Sequence, residues 1–248
     1  MSGLLVITAH PDDEVLLAGG TLAALSDAGE ETGVVCLTRG ELGPIADPKL
    51  ATRATLADVR LGELKAACAE LGVGFVKCYR RQDGNLRFSN RGQIAGQVTR
   101  LLDQRRPDAV ITFGEDGLYY HPDHIATCEL VARAIARAER PPTLYRAIWP
   151  KALMRQLGAE LRRRKLRADL WGLDPADFGV EDLDGAFALD LRRFAGHKLR
   201  ALLTHRTQID AQNAFGLLEP EAAERILGTE WFAAVAGSGR DWLRARLT

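Results

Sequence analysis

The sequence predicts an α/β protein, a three-layer α/β/α sandwich on a Rossmann-like, mainly parallel sheet with an elaborated C-terminal third. Three observations carry that expectation. Strand-length apolar runs recur between longer, helix-length segments. The runs are continuously apolar rather than alternating, as in strands covered on both faces. The chain, with 248 residues of which 46% are hydrophobic, is long enough to bury roughly 70–75% of the surface its unfolded form exposes.

The elements follow in order. Residues 4–9, rich in Leu, Val and Ile, read as the first strand, and 13–28 as the first helix. Residues 34–38 give a second strand. A helix over 56–71 then carries Leu56, Val59, Leu64, Ala67, Cys68 and Leu71 as an approximate 3.6-residue stripe and stops at Gly72. Residues 75–79 form a third strand and 94–104 a third helix, which Pro107 closes before a fourth strand at 109–113. A helix over 123–140 ends at Pro141-Pro142, and 143–149 reads as a strand. The basic helix predicted for 151–167 contains Arg162-Arg163-Arg164-Lys165; in a chain neutral overall it reads as a solvated face, with an anion-binding surface as the alternative. Residues 169–185 are acidic and loop-like, 186–189 a short strand and 191–210 a helix. No internal repeat or low-complexity linker interrupts the chain, so a single domain over 1–248 is expected.

Composition excludes several function classes. Lys plus Arg and Asp plus Glu each number 33, so no bulk field draws the chain to nucleic acid or to an anionic membrane. No stretch approaches the ~18–20 apolar residues of a membrane-spanning helix. The first apolar run is too short for a secretion signal and lacks a basic leader. Cys36, Cys68, Cys78 and Cys128 are widely spaced, without a C-x-x-C pair, and read as reduced, mostly buried thiols. A soluble cytoplasmic protein is expected.

Two loops concentrate the chemistry. The first strand runs into His10-Pro11-Asp12-Asp13-Glu14 as a helix begins. Acidic residues in a first turn suit the helix dipole, and Pro suits a helix start, so this segment taken alone has an ordinary structural reading. It is not a dinucleotide loop: three carboxylates would repel a pyrophosphate, and Gly19-Gly20 come too late for the glycine fingerprint. The fourth strand leads, after residues 114–118, into Tyr119-Tyr120-His121-Pro122-Asp123-His124. In a doubly wound sheet strands 1 and 4 are neighbours where the crossover direction reverses, so the two loops should face each other. His10, Asp13 and His124 would then offer two imidazoles and a carboxylate, with a fourth position left to water, the usual catalytic zinc arrangement. Zinc lowers the pKa of its water to ~7, and Asp12 can take the released proton. His121, held as imidazolium by Asp123, would stabilise an oxyanion and protonate a leaving amine.

At these residues the chain resembles the PIG-L/LmbE family of zinc-dependent N-acetylglucosaminyl deacetylases. Its signature pair reads here as Ala9-His10-Pro11-Asp12-Asp13-Glu14 and His121-Pro122-Asp123-His124. The likeness extends to Thr38-Arg39-Gly40-Glu41-Leu42-Gly43, to Arg60-Leu61-Gly62-Glu63-Leu64, to Leu71-Gly72-Val73 and to Asp83-Gly84. Near the end, Lys198 and His205-Arg206-Thr207-Gln208 are similar to a family K…H-x-S-Q segment, with Thr207 in place of Ser. The resemblance is dense over 4–130 and patchy beyond. It implies His10, Asp13 and His124 as ligands of Zn2+ (or another divalent transition metal such as Fe2+) and Asp12 as general base. It further implies His121 as acid and oxyanion stabiliser, oriented by Asp123. By the same resemblance Arg60 would contact substrate, the alternative being an i, i+3 surface pair with Glu63. Asp83 would lie near the sugar hydroxyls, and Tyr119 would match a family active-site tyrosine, with Tyr120 the competing assignment.

The resemblance implies a hydrolase that removes the N-acetyl group from an N-acetylglucosamine-containing metabolite, of GlcNAc-inositol or GlcNAc-malate type. The alternatives are an amidase that takes a larger acyl group from a thiol conjugate and, from another class, a non-catalytic sugar-binding module. The expected partner is a small amino-sugar substrate, with neither nucleic acid nor membrane; homo-oligomer formation is compatible with the sequence. The pH–rate profile is expected to be a bell whose basic limb, from His121, lies above ~6.5. Asp13→Ala should lose metal affinity, whereas Asp12→Ala should keep the metal and lose turnover. Metal titration of both variants checks this, and equal loss of metal would contradict the division of roles.

Overall fold

The computed structural model describes residues 3–165, 173–209, 218–235 and 241–248. Its first half follows the predicted alternation: β1 (Gly3–Thr8), α1 (Asp13–Asp27), β2 (Glu31–Thr38), α2 (Leu56–Glu70), β3 (Phe75–Arg81), α3 (Arg91–Arg105) and β4 (Ala109–Phe113). Then come a short α4 (Gly117–Tyr120), α5 (Pro122–Ile135), β5 (Thr143–Ile148), α6 (Lys151–Arg163), β6 (Ala186–Asp190), α7 (Ala195–Thr204), α8 (Pro220–Leu227), β7 (Thr229–Ala234) and α9 (Arg244–Leu247). The sheet has seven strands in the order β3-β2-β1-β4-β5-β7-β6. Strands β1 to β5 are mutually parallel, while β7 runs antiparallel to both β5 and β6.

This order places the site. Right-handed crossovers from β1 to β2 to β3 put α1 and α2 on one face; the return to β4 and β5 puts α3 and α5 on the other. The direction reverses between β1 and β4, which pair directly, Leu4 beside Ala109 and Val6 beside Ile111. Every residue of both strands is buried, as their apolar runs require. Their carboxyl ends open side by side, stitched by Thr112 Oγ1 donating to the Ile7 carbonyl (2.8 Å), while Thr38 Oγ1 at the end of β2 donates to that of Ala9 (3.0 Å).

The structure departs from expectation in several places, and the helix expected over 123–140 already ends at Ile135. The first helix is broken at Ala18 (φ −151°, ψ 24°). The predicted helix over 191–210 is a 3₁₀ turn at Arg192–Phe194 followed by α7, and residue 210 lies outside the described residues. Strand β7 inserts between β5 and β6, turning that edge antiparallel. The basic run at the end of α6 is an ion-paired surface: Arg162 meets Asp174 (3.0 Å), Arg163 meets Glu160 (2.7 Å) and Arg164 meets Glu219 (2.9 Å). Residues 166 and 167 of that predicted helix lie outside the described residues.

Candidate metal centre and active site

After β1 the chain turns sharply. The His10 amide donates to Asp13 Oδ2 (2.8 Å), closing the turn and fixing the carboxylate beside the ring of His10. Asp12, between them, adopts φ 104°, a backbone state that a side chain disfavours and that only surrounding contacts sustain. Those contacts come from Glu14, whose Oε2 accepts the Asp12 amide (2.9 Å) and whose Oε1 is 2.9 Å from His205 Nε2. Glu14 and His205 are both fully buried, so the turn is anchored to the segment that follows α7. The His205 imidazole is pushed above its ordinary value, the Glu14 carboxylate outweighing burial.

The loop after β4 is strained as well, with positive φ at Leu118 and Tyr120. It delivers His121, whose Nδ1 accepts the Asp123 amide (3.2 Å) and caps α5, with Pro122 opening the first turn. One turn on, His124 is completely buried and stacked on Phe113, ring centroids 4.0 Å apart.

Three donor atoms converge. His10 Nδ1 and His124 Nε2 are 3.2 Å apart; Asp13 Oδ2 is 3.2 Å from the first and Oδ1 is 3.1 Å from the second. Ligand atoms that share one tetrahedral ion at ~2.0–2.1 Å sit about this far from one another. Each imidazole is also turned for the task. His124 Nδ1 is 3.1 Å from the Gly117 carbonyl, which holds its proton there and leaves Nε2 bare. His10 Nε2 lies 3.0 Å from Asp83 Oδ1 and 3.6 Å from Asp123 Oδ2, so its proton belongs on that side and Nδ1 is free for an ion. The buried His and Asp side chains gathered here are capable of coordinating a divalent metal; besides the Asp13 contacts, His10 groups with His121 and His124, and with Asp83 and Asp123.

The electrostatics divide the carboxylates. Burial would raise the Asp13 carboxyl, but His124 and His10 hold it far below the usual range. Asp12 goes the other way: burial pushes it up to about 6, against Arg60 and with the help of Asp13. Asp83 resists burial and falls to about 2 through its contact with His10. The His10 ring rises well above the ordinary histidine value, since Asp123, Asp13 and Asp83 together outweigh burial.

The two loops bring the predicted residues together, with two corrections. Asp123 holds His121 through its backbone amide and not through its carboxylate. Its carboxylate accepts the amides of Gly84 (2.8 Å) and Leu86 (3.0 Å) and faces His10, because α5 presents it toward the 84–86 loop. Burial, then the neighbouring rings of His124 and His10, bring the His121 ring down to about 4, opposite to the direction expected from a carboxylate partner.

Arg60 is only 3% exposed. Its Nη1 donates to the Gly40 carbonyl (2.8 Å), and its Nη2 donates to the Pro11 carbonyl and meets Asp12 Oδ2 at 3.1 Å. A Cβ at Gly40 or Gly43 would fall 2.2 or 2.4 Å from that guanidinium, which explains the glycines on either side of Glu41-Leu42. Of the two tyrosines, Tyr119 packs between Trp149, Phe178 and His121, whereas Tyr120 is 62% exposed. Tyr119, His121, Asp83, Leu42, Pro44 and Gln208 line a cleft of about 360 Å³ that His10, Asp12 and Arg60 also reach.

The model of the family described as "PIG-L: GlcNAc-PI de-N-acetylase" matches residues 5–135. The chain belongs to the PIG-L family. Among curated relatives, the 1D-myo-inositol 2-acetamido-2-deoxy-alpha-D-glucopyranoside deacetylase of Thermobispora bispora is 31% identical, covering 95% of this chain and 88% of its own. Among solved structures, the N,N'-diacetylchitobiose deacetylase of Pyrococcus horikoshii matches with TM-score 0.64 and 25% identity, over 94% of this chain and 83% of its own. The 4-carboxy-2-hydroxymuconate hydratase GalB of Pseudomonas putida shares the fold, with TM-score 0.66 and 20% identity over 96% of this chain and 98% of its own. As a PIG-L-family deacetylase the chain is a hydrolase. No helix among the described residues of this PIG-L protein is long and apolar enough to cross a membrane.

The sequence alone assigns no role to Glu14, His205 or Gln208. Glu14 lies within the first motif and His205 is one of only five histidines, but nothing in their spacing shows that they meet. Gly117, whose carbonyl sets the His124 tautomer, also has φ 61°, and a Cβ there would fall 3.0 Å from His124 Cβ. Gly117→Ala is therefore expected to weaken divalent-metal binding by about 10–100-fold while the protein stays folded. Metal competition with a chromophoric chelator, alongside circular dichroism, measures both.

Proposed function

We propose that this chain is a zinc-dependent N-deacetylase (or one using a similar divalent ion such as Fe2+), with His10, Asp13 and His124 as ligands. It removes the acetyl group from a small N-acetylglucosaminyl compound. The observation that carries this reading is the convergence of two correctly turned imidazoles and a strongly ionised carboxylate beside a second carboxylate, Asp12, poised near neutrality. A sugar-binding module would need no such base. When bound, the ion supplies Lewis-acid polarisation of the amide and an acidified water.

The chain's own groups would do the rest. Asp12, raised to about 6, is suited both to take a proton and to return it to the departing amine. Arg60 orients it from beneath and forms part of the same cleft wall, the position from which substrate contact is proposed. His121, its Nδ1 occupied by the Asp123 amide, carries its proton on Nε2 and donates it as a neutral ring to the developing oxyanion. Asp83, ionised at any working pH, is an acceptor for a sugar hydroxyl, and Tyr119 closes the opposite wall. Asp123 acts through His10 rather than on substrate.

Charge narrows the substrate. Among the described cleft residues Asp12 and Asp83 are anionic, and the guanidinium of Arg60 is already engaged. A dicarboxylate aglycone would meet repulsion there, so a neutral polyol glycoside of the GlcNAc-inositol type is favoured over a GlcNAc-malate type. The four cysteines are free thiols, which supports a cytoplasmic setting.

Two measurements test these readings. Acetate release should be substantially faster from a neutral N-acetylglucosaminyl polyol than from the malate glycoside, with none from bulky amides; the reverse order would overturn the substrate assignment. Because Asp12 must be ionised, kcat/KM should fall as pH drops through about 6 or lower, since a bound cation can only lower that value. His121→Ala should cost about 10²–10³ in kcat without altering the profile above pH 6.5. Loss of a basic limb in that variant would restore the imidazolium role.

A further inference from the structure

The break in α1 has a specific repair. In a continuous helix the Gly20 amide would bond the Leu16 carbonyl, and the Thr21 amide that of Leu17. At Ala18 the helix leaves helical geometry. The amides of Gly20 (2.8 Å) and Thr21 (3.0 Å) are instead accepted by the two carboxylate oxygens of Glu230, on β7, which also takes the Thr21 hydroxyl (2.6 Å). The stranded Leu16 carbonyl faces Lys198 Nζ, on α7, at 3.4 Å, and Lys198 and Glu230 form a buried ion pair at 2.6 Å. Amide, carboxylate, ammonium and carbonyl thus run in series across the gap that one hydrogen bond would have spanned. The glycines fit this arrangement. A Cβ at Gly19 would fall 3.0 Å from Lys198 Cγ, and one at Gly20 would fall 3.2 Å from Glu230 Oε1.

We propose that Lys198 and Glu230 are positioning residues for the metal centre: as a charged splice in α1, they set the angle at which its first turn presents Asp13 to His10 and His124. The proposal rests on the reading of Asp13 as a metal ligand. A straight helix fixes its first turn by its own axis. A broken one frees residues 13–17 to follow the turn that begins at His10, and the splice holds the two pieces at one angle. A buried ion pair used only for stability could be exchanged for apolar groups at little cost. This pair cannot, because Glu230 also satisfies two buried amides.

The test is a charge-neutral double variant, Lys198→Met with Glu230→Gln, studied in the full chain. Wild type and Asp13→Ala are titrated with Zn2+ in parallel. The expected result is a cooperatively folded double variant with Zn2+ affinity reduced about 10–100-fold, lower kcat at unchanged KM, and altered visible bands when loaded with Co2+. Wild-type affinity, kcat and Co2+ spectrum in a folded double variant would overturn the proposal, leaving the pair a packing feature. If the double variant does not fold, Glu230→Gln alone, which keeps an oxygen for one amide, is put through the same three measurements. Weaker Zn2+ binding, lower kcat and shifted Co2+ bands in it support the splice, and wild-type values in all three overturn it. A wild-type chain that binds Zn2+ no better than Asp13→Ala would show that the metal reading itself is wrong, and this proposal would fall with it.

Discussion

Everything at this site depends on one electrostatic demand. An ionised carboxylate, Asp13, sits buried with the lone-pair nitrogens of two imidazoles turned toward it. Groups so arranged repel or starve one another unless a cation, either a proton or a metal ion, lies among them. The fold meets that demand in layers. The exchange of crossover direction between β1 and β4 brings the loops side by side. Gly117 and the Asp83–Asp123 pair fix which nitrogen of each ring is bare. Unfavourable backbone at Asp12, Leu118 and Tyr120 shapes the two loops that carry these side chains.

The neighbouring aspartates show how little sequence distance is needed to reverse a group's chemistry. Asp13 is shielded by histidines and stays ionised; Asp12, one residue earlier, points past Arg60 toward the cleft and is raised to about 6. The strained φ of Asp12 separates them, since it turns consecutive side chains into different surroundings. Glu14 maintains that strain from below, so all three acids of the motif have distinct duties.

The parallel core and the meeting of the two motif loops were legible because both depend on local signals: unbroken apolar runs, helix stops such as Gly72, and donor residues packed within a few positions. What was not legible depends on partners far along the chain. Asp123 sits beside His121 in sequence, yet its carboxylate is claimed by the amides of Gly84 and Leu86, which spacing cannot show. Gly19-Gly20 suit a helix poorly, but nothing nearby says that their amides go to Glu230. Strand β7 is six residues long and includes that buried acid, so its apolar signal is weak. Its place between β5 and β6 defies chain order.

The distance between Gly20 and Glu230 has a consequence for how the protein is made. They are 210 positions apart, so at a synthesis rate of about 5–20 residues per second the amides of Gly20 and Thr21 wait on the order of 10–40 s for their acceptor. Throughout that interval β1 and its motif are already made, and the first helix has no repair for its break. The earliest residues of the site to be made are thus among the last to be set.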